Sequence, residues 1–238
     1  MRTFVIGDVH GRLWLLKQLI EGSGIDTKND KIVFLGDLID RGENSPGVVE
    51  YVTKLKSENP NVITLRGNHE QMLLDFIDNT DMSWLHPSNG GARTLAQYGS
   101  PVEGDDGFTN LKIPSHHIDY FRSTIFFHED KDAIYVHAGL TLGVHPSKED
   151  PRKLLWSRNQ EFYDYYDGKL CIFGHTPTRC IKNGTFRHAH DIFVGRKAIG
   201  IDTGYRDDDP LSCIEIGTLT VYQKFFEGGV SSYKVKLN

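Results

Sequence analysis

The chain contains the segment Lys31-Ile32-Val33-Phe34-Leu35-Gly36-Asp37-Leu38-Ile39-Asp40-Arg41-Gly42, in which an apolar run ends abruptly in two carboxylates and a guanidinium. The run from Ile32 to Leu35 is too short for a helix and is typical of a strand that is buried on both faces. Open α/β sheets place their ligands at the carboxyl ends of their strands, which is where Asp37 would lie. The segment therefore predicts an α/β fold with polar groups at a sheet edge.

The same change from an apolar run to polar residues occurs four more times along the chain. Those runs end in Asp8-Val9-His10-Gly11, Arg66-Gly67-Asn68-His69-Glu70, His137-Ala138-Gly139 and His175-Thr176-Pro177. Since the carboxyl ends of such strands share one edge, we expect these side chains to form one metal site.

Composition and charge indicate a globular protein and favour no nucleic-acid or membrane partner. The chain has 238 residues, of which 38% are hydrophobic and 25% charged, as is ordinary for a globular protein. This length suits one domain, and we expect a single catalytic domain over residues 1–238. The net charge of −5 favours neither a nucleic-acid partner nor an anionic membrane.

Three cysteines, Cys171, Cys180 and Cys213, are too few and too scattered for a disulfide framework or a zinc finger, and they indicate a reducing compartment. The sequence after Met1 lacks the charged and apolar regions of a secretory signal, and no apolar run approaches the roughly 18 residues of a membrane span. We therefore expect a soluble, cytoplasmic protein.

Strands and helices alternate in the first third of the chain, which favours a parallel sheet. The predicted strands are 2–7, 31–36 and 61–65; the predicted helices start at Arg12, at Ser45 as N-cap with Pro46 following, and before Met72.

The later elements are less regular. Residues 78–130 are polar and rich in helix-breaking residues, and they predict an insertion beside the site with helices near 91–98 and 115–123. Further strands are expected at 133–137, 170–174, 198–202, 211–216, 218–225 and 232–237, with Glu227-Gly228-Gly229 as a hairpin turn. We expect this tail to be antiparallel and to edge a second sheet.

Six candidate ligands follow the predicted strands, and they are Asp8, His10, Asp37, Asn68, His137 and His175. Carboxylate, amide and imidazole donors without thiolates suit Mn²⁺, Fe²⁺ or Zn²⁺. Six exceed what one catalytic metal takes from a protein, so two metals that share a bridging carboxylate fit better.

The other polar residues of these segments suit phosphoryl chemistry. Arg41, Arg66 and Arg158 can each bind phosphate oxygens bidentately. His69, next to a candidate ligand, is a natural general acid for a leaving alkoxide, and Asp40 could orient it.

With their order and spacing, the five segments resemble the signature blocks of the PPP-type metallophosphatases, which belong to the calcineurin-like metallophosphoesterase superfamily. The blocks span residues 7–177. Trp156-Ser157-Arg158 and the segment 198–204 resemble the bacterial and phage branch of that family, which contains serine/threonine protein phosphatases.

The resemblance implies a four-layer α/β/β/α sandwich of two mixed sheets flanked by helices. It implies that one metal is held by Asp8, His10 and Asp37, and the other by Asp37 (bridging), Asn68, His137 and His175. A bridging hydroxide would attack phosphorus in line without a phosphoenzyme. Arg41, Arg66 and Arg158 would bind phosphate, and His69 with Asp40 would protonate the leaving group. The cofactor would be two divalent metal ions, Mn²⁺ in the test tube, with iron or zinc as the alternatives in the cell.

The first functional hypothesis is a serine/threonine protein phosphatase that acts on a phosphorylated protein. Hydrolysis of diadenosine tetraphosphate to two ADP is an alternative, although such relatives are longer. Broad activity on small phosphoesters stays open. A non-catalytic scaffold is disfavoured because every ligand and the acid histidine are present.

Several other features have simpler explanations. The segment from Cys180 to Arg187 is one residue too long for the loop of a cysteine phosphatase, so that reading is rejected. Arg206-Asp207-Asp208-Asp209 is expected to be a solvated turn; the alternative is a place at the mouth of the site, where it would disfavour very acidic substrates. Most histidines outside the blocks are expected to be surface or satisfied polar residues, although one near the insertion could touch substrate; they are His86, His116, His117, His128, His145, His188 and His190.

Overall fold

The computed structural model describes residues 1–100, 111–182, 190–204 and 208–237. Its helices are α1 (Leu13–Gly22), α2 (Ser45–Glu58), α3 (Asn68–Asn79), α4 (Gly91–Gln97), α5 (Ser115–Ser123), α6 (Pro151–Trp156) and α7 (Gln160–Tyr165). Its strands are β1 (Thr3–Ile6), β2 (Lys31–Phe34), β3 (Val62–Thr64), β4 (Phe127–Glu129), β5 (Ile134–Val136), β6 (Cys171–Phe173), β7 (Phe193–Val194), β8 (Ala198–Gly200), β9 (Leu211–Glu215), β10 (Thr220–Lys224) and β11 (Val230–Lys234).

The strands form two mixed sheets. The first has the order β11-β10-β9-β1-β2-β3, and the second has the order β4-β5-β6-β8-β7. The strands β1, β2 and β3 are parallel, and so are β5, β6 and β8, as the alternation of strands and helices predicts. The candidate ligands therefore follow parallel strands from both sheets.

The expectation that the tail edges a second sheet is wrong for its last three strands. Strand β9 pairs antiparallel with β1, with Val5 opposite Ile214, so β9 to β11 extend the first sheet. The predicted tail strand at 198–202 does join the second sheet as β8, where it runs parallel to β6 and antiparallel to β7. The short tail strands could pair with either sheet, because pairing partners are set by tertiary contacts.

The two sheets pack face to face between two helical layers, which confirms the four-layer architecture. Side chains of β1 alternate between two cores: Phe4 and Ile6 pack against the helical layer of α1 and α2, whereas Val5 packs between the sheets. Beyond the second sheet, Phe162 of α7 packs on Phe173 of β6 with ring centroids 5.3 Å apart.

Helix α2 begins one residue earlier than the sequence suggests. The N-cap is Asn44, whose side-chain oxygen accepts a hydrogen bond from the Gly47 amide at 2.9 Å. Ser45 lies inside the helix and instead accepts from the Asp40 amide at 3.0 Å. The predicted cap at Ser45 is therefore wrong, because the Ser45 hydroxyl is used to hold the loop that precedes the helix.

The predicted helices of the segment 78–130 are present as α4 and α5, and they pack against α2 and α3. Strand β4 was not predicted, because its sequence Phe-His-Glu is short and lacks an apolar pattern. The segment therefore belongs partly to the second sheet and partly to the helical layer over the first.

Candidate metal centre

Loops at the carboxyl ends of β1, β2, β3, β5 and β6 meet at one place. The His10 amide donates to the Asp37 carbonyl at 2.8 Å, and the Gly174 amide donates to the His137 carbonyl at 2.8 Å. A side chain on Gly174 would collide with the carboxylate of Asp8, which explains the glycine. These contacts join loops that are distant in sequence, as the strand ends predict.

Polar residues of these loops adopt the left-handed backbone conformation. Their φ angles are 46° at His10, 49° at Asp37, 72° at Asp40, 63° at Arg41 and 61° at His175. At a residue other than glycine this conformation costs about 1 kcal/mol or more. Such strain is retained where surrounding contacts over-determine the backbone, as they do at functional sites.

The carboxylate of Asp37 lies between two groups of imidazoles. Its Oδ2 is 3.6 Å from His10 Nε2 and 3.8 Å from His69 Nε2. Its Oδ1 is 3.4 Å from His137 Nε2. Burial opposes ionisation of Asp37, but these imidazoles outweigh it and hold the pKa of the carboxyl well below its usual range. The side chain thus offers one oxygen to each side.

The amide of Asn68 completes the second group. Its Oδ1 lies 2.9 Å from His137 Nε2 and 2.8 Å from His175 Nδ1. Burial lowers the pKa of both histidines, which favours the neutral form of each ring. Neutral imidazole is the form that ligates a metal.

Backbone carbonyls fix the orientation of two of the rings. His10 Nδ1 donates to the Ile39 carbonyl at 2.9 Å, and His137 Nδ1 donates to the Leu35 carbonyl at 2.9 Å. The Nε2 lone pairs therefore face Asp37, and that of His137 also faces the acceptor oxygen of Asn68. Two acceptors in contact are satisfied by a cation between them.

Asp8 adds a second carboxylate on the side of β1. It is 2% exposed and accepts from the His175 amide at 3.0 Å. Burial and the neighbouring charges of Asp202 and Asp37 raise its pKa well above the usual value. A buried group of carboxylates that repel one another is a place where a cation removes an unfavourable charge.

Sequence reasoning gave no role to Asp202, although the segment 198–204 contributed to the family resemblance. Asp202 is 3% exposed, and burial raises its pKa to about 7 despite the opposing charges of Arg12 and Arg41. The apolar run of β8 ends just before Asp202, which is the same signal that identified Asp8 and Asp37.

The donor set fits a pair of divalent metal ions. Carboxylate, amide and imidazole donors converge from both sides of Asp37. Two clusters of closely spaced donor atoms share this residue: one contains His10, Asp37 and His69, and the other contains Asp37, His137 and His175. Nitrogen and oxygen donors without thiolates suit first-row divalent cations.

His69 and Asp40 form a buried pair beside this cluster. His69 Nδ1 lies 2.6 Å from Asp40 Oδ2. Burial lowers the pKa of His69, but the charge of Asp37 and the hydrogen bond to Asp40 outweigh it, so the pKa is raised above its usual value. Asp40 also accepts from Trp84 Nε1 at 2.8 Å and from the Thr94 hydroxyl at 2.7 Å. Sequence reasoning missed these last two residues because they lie in the predicted insertion.

Two of the three predicted arginines reach the cluster. Arg41 donates to His10 Nε2 at 3.0 Å, and its Nη2 lies 3.2 Å from His69 Nε2. Arg158 donates to His175 Nε2 at 3.2 Å from the other side. Positive charge thus lies on both flanks of the histidines.

Arg66 is directed elsewhere in this structure. Its guanidinium donates to Thr124 Oγ1 at 3.0 Å, to Gln71 Oε1 at 2.9 Å and to the Arg122 carbonyl at 3.1 Å. Arg66 therefore fastens β3 to the chain after α5, and phosphate binding by Arg66 stays a prediction. The sequence places Arg66 at a strand end but cannot give the rotamer of so long a side chain.

Glu70 is a further buried residue without an assigned role. Its Oε2 accepts from the amides of Gly67 and Asp37, each at 2.8 Å, and its Oε1 accepts from the Leu38 amide at 2.8 Å. Burial and the charge of Asp37 raise the pKa of Glu70 to about 7. Glu70 thus holds the Asp37 loop against the start of α3 from within.

The expected solvated turn at 206–209 is wrong for Asp209. Asp209 is 1% exposed and forms an ion pair with Arg179. Arg206 and Asp207 lie outside the described residues, as do His188 and most of the segment from Cys180 to Arg187. In the part of the chain that the structure describes, no helix is long and apolar enough to cross a membrane.

The sequence of a known family matches most of the chain. A family model described as calcineurin-like phosphoesterase covers residues 1–179. The chain is 28% identical over 207 residues to serine/threonine-protein phosphatase 1 of Salmonella typhimurium, a match that covers 81% of this chain and 86% of that protein.

Two further similarities are to a bis(5'-nucleosyl)-tetraphosphatase, in sequence, and to a solved metallophosphoesterase, in fold. The chain is 32% identical over 147 residues to a symmetrical bis(5'-nucleosyl)-tetraphosphatase of Marinomonas sp., covering 59% of this chain and only 45% of that protein. The structure of a metallophosphoesterase from Sphaerobacter thermophilus superposes with a TM-score of 0.58 at 20% identity, over 100% of this chain and 89% of the other. This likeness concerns the fold alone.

Proposed function

This chain belongs to the calcineurin-like phosphoesterase family, and we propose that it is a dinuclear-metal-dependent phosphomonoesterase that acts on phosphoserine and phosphothreonine in proteins. The observation that carries the proposal is the position of Asp37, whose two carboxylate oxygens face separate histidine groups, 3.6 Å from His10 and 3.4 Å from His137. A bridging carboxylate of this kind is what a two-metal site requires.

In this proposal Asp8, His10 and Asp37 hold one cation, and Asp37, Asn68, His137 and His175 hold the other. The bound pair supplies Lewis-acid activation of a water molecule and neutralises charge on the phosphoryl oxygens. The donor atoms are nitrogen and oxygen without thiolate sulfur, a set that suits Mn²⁺, Fe²⁺ and Zn²⁺. We propose Mn²⁺ as the metal in the test tube, with iron or zinc as the alternatives in the cell.

The arginines bind the phosphoryl group in this proposal. Arg41 contacts His10 and His69 on one flank, while Arg158 contacts His175 on the other. A guanidinium keeps its charge at any working pH and matches two phosphate oxygens at once. The two side chains would exchange their contacts to the rings for contacts to the substrate.

His69 supplies the proton for the leaving group. Asp40 holds Nδ1, so Nε2 is the atom that faces the cluster, and the raised pKa of His69 favours the protonated ring that a general acid needs. When water attacks phosphorus, the P–O bond to the alcohol breaks and the proton of Nε2 passes to the departing oxygen. The products are the free hydroxyl and inorganic phosphate.

A cavity of about 930 Å³ suits the rest of the substrate. Its walls include Gly42, which follows Arg41 in the chain, together with Trp14, Phe226 and Arg93. The rings of Trp14 and Phe226 lie 5.6 Å apart and are 46% and 66% exposed. We assign to this cavity the apolar part of the substrate beyond the phosphoester.

The alternative activity is symmetrical hydrolysis of diadenosine tetraphosphate. It is supported by the 32% identity to the Marinomonas enzyme, but the chain spans less than half of that protein. The chain spans 86% of the Salmonella phosphatase, which favours the phosphoprotein substrate.

A cytoplasmic location is supported by Cys171, Cys180 and Cys213, which are all free thiols.

Metal-stripped protein assayed with and without Mn²⁺ tests the proposal. The substrates are a phosphoserine/phosphothreonine peptide, a phosphotyrosine peptide and diadenosine tetraphosphate. Metal-dependent release of phosphate from the first peptide supports the proposal. Cleavage of the dinucleotide to two ADP, with the peptides poor, would transfer the function to nucleotide hydrolysis. Protein that holds two metals and cleaves none of the three would refute both.

A further inference from the structure

A second group of metal-ligating side chains lies on the helical layer, away from the centre at the strand ends. Glu50 of α2 faces two consecutive histidines of α5. Its Oε2 lies 3.2 Å from His116 Nε2 and 3.0 Å from His117 Nε2. Two imidazoles thus converge on one carboxylate oxygen, and the two rings lie 4.5 Å apart, centroid to centroid.

The ring of His117 is held by a hydrogen bond at Nδ1, the nitrogen that does not face Glu50. Its side chain is 4% exposed, and its Nδ1 lies 2.8 Å from the hydroxyl of Tyr98, which directly follows α4. When Nδ1 donates to that hydroxyl, the lone pair of Nε2 points at the carboxylate of Glu50. A partner on the second nitrogen that fixes the tautomer is typical of histidines that ligate metals.

The donor atoms lie close to the separations found around a small cation. Ligands at about 2.0–2.2 Å from a tetrahedral Zn²⁺ lie roughly 3.3–3.6 Å from one another. The distances of 3.0 and 3.2 Å are shorter by only a few tenths of an ångström, so small rotations of the exposed side chains of Glu50 and His116 would admit the ion. Glu50 and the ring of His116 are exposed, at 65% and 60% of their side-chain areas, so an ion can enter from solvent and keep water as a fourth ligand.

We propose that Glu50, His116 and His117 form a third divalent-cation site, which takes Zn²⁺ with two imidazoles, one carboxylate and one open position. This donor set prefers borderline cations such as Zn²⁺ over Mg²⁺ or Ca²⁺, which take oxygen ligands. The pair of His145 and Glu129 on the same protein has only one imidazole on its carboxylate, and it is an ordinary exposed hydrogen bond of 2.8 Å.

An ion at this site would fasten α2 to α5 directly and to α4 through Tyr98. Helix α4 carries Gln97, which donates to the Gly42 carbonyl at 2.8 Å, and Thr94, which donates to Asp40. The third ion would therefore stiffen the support of the loop that bears Asp40 without touching the candidate centre.

The test counts metals on the Mn²⁺-loaded protein after it is titrated with Zn²⁺ and desalted. The sum of manganese and zinc per chain is unaffected by exchange at the centre, so only an additional site changes it. Wild type is expected to hold one more ion than Glu50→Gln or His116→Gln. The control His145→Gln removes an exposed histidine with a carboxylate partner, and it should hold as many ions as wild type.

Tyr98→Phe separates a metal site from a hydrogen-bonded surface cluster. Loss of the hydroxyl that orients His117 should weaken Zn²⁺ binding about 10-fold, as removal of such partners does elsewhere. Zn²⁺ should also raise the Tm of wild type more than that of Glu50→Gln. Equal metal counts in wild type and Glu50→Gln would overturn the proposal, and so would an equal loss in His145→Gln.

Discussion

The hydroxyl of Thr94 donates a hydrogen bond of 2.7 Å to Oδ1 of Asp40, and both side chains are fully buried. The other oxygen of Asp40 accepts from His69 and from the indole of Trp84. Thr94 and Trp84 both lie in the segment 78–130. That segment therefore orients the pair that we assign to proton transfer.

Thr94→Val should lower kcat about 10-fold, because it removes a hydrogen bond to a charged group that is worth roughly 1.5–3 kcal/mol. Metal content should be unchanged, since Thr94 contacts none of the proposed ligands. Steady-state kinetics with a phosphopeptide measure the effect. The control is Thr53→Val, because Thr53 Oγ1 has no hydrogen-bond partner among the described residues. A Thr94→Val protein with full kcat would show that the support from α4 does not matter for turnover.

His69→Asn should lose about 10²–10⁴-fold in turnover on alkyl phosphates, because general-acid catalysis contributes about this much. The loss should be much smaller on p-nitrophenyl phosphate, whose leaving group departs without a proton. Parallel kinetics on the two esters provide the comparison. The variant should still bind two metals; loss of a metal would instead place His69 among the ligands, with His10 and Asp37.

Asp37→Asn should lose both metals, because one carboxylate faces both groups of histidines. The left-handed φ of 49° at Asp37 is well tolerated by asparagine, so the backbone should be preserved. Asp8→Asn is the matched comparison and should lose one metal. Elemental analysis of the purified variants, with circular dichroism as a folding check, measures this. Two metals on Asp37→Asn would refute the bridging role.

Trp14→Ala should raise KM for phosphopeptides with apolar flanking residues while leaving p-nitrophenyl phosphate hydrolysis unchanged, because Trp14 lines the cavity beside Gly42. Loss of a partly exposed aromatic contact should raise KM roughly 3- to 10-fold. Tyr165→Ala removes an aromatic side chain that is 61% exposed and does not line this cavity, and it is the control. An equal effect of both variants would remove the cavity from substrate binding.

Asp30 makes the free energy of unfolding depend on pH, and this effect is independent of the metals. Burial raises its pKa, but hydrogen bonds from the side chain and amide of Arg2 outweigh burial, so the pKa is lowered in the folded protein. A carboxyl with a depressed folded pKa contributes stability above its unfolded value of about 3.9, and the contribution is lost as the pH falls through the folded pKa. Asp30→Asn should therefore be less stable at pH 7, by about 1–2 kcal/mol.

Urea unfolding of metal-free protein between pH 7 and pH 3 measures this difference, which should shrink below about pH 4. Asp78→Asn breaks an exposed pair with Arg122 and should cost under about 1 kcal/mol. A constant difference between wild type and Asp30→Asn across the pH range would contradict the role of the ionised carboxylate.

The strand ends were predictable because each is encoded locally. The apolar runs before Asp8, Asp37 and Asn68 stop where their strands stop, and parallel strands bring these ends together. The placement of β9 beside β1 was not predictable, because a short buried strand could pair with either sheet. Its partner is chosen by long-range packing, such as that of Val5 against Ile214.

Within the site, the sequence predicted which residues take part more easily than it predicted where their side chains point and which groups they contact. Asp40 and His69 were assigned as a pair from their chemistry, but the hydrogen bonds from Trp84 and Thr94 come from a segment without any motif. Arg66 shows the converse: its motif predicts a phosphate contact, which stays a prediction, whereas its long side chain here donates to carbonyls at the end of α5. Such choices depend on tertiary neighbours that sequence spacing does not specify.

The left-handed loop residues have a consequence for directed evolution of this protein. Glycine is the residue that relieves strain at positive φ, so His10, Asp37 and His175 are positions where the change that stabilises the chain also deletes a proposed ligand. A library selected for thermal tolerance alone would therefore accumulate inactive, metal-free proteins. Only selection under metal limitation or for turnover would keep these side chains, because ions bound by these proposed ligands would offset the conformational cost.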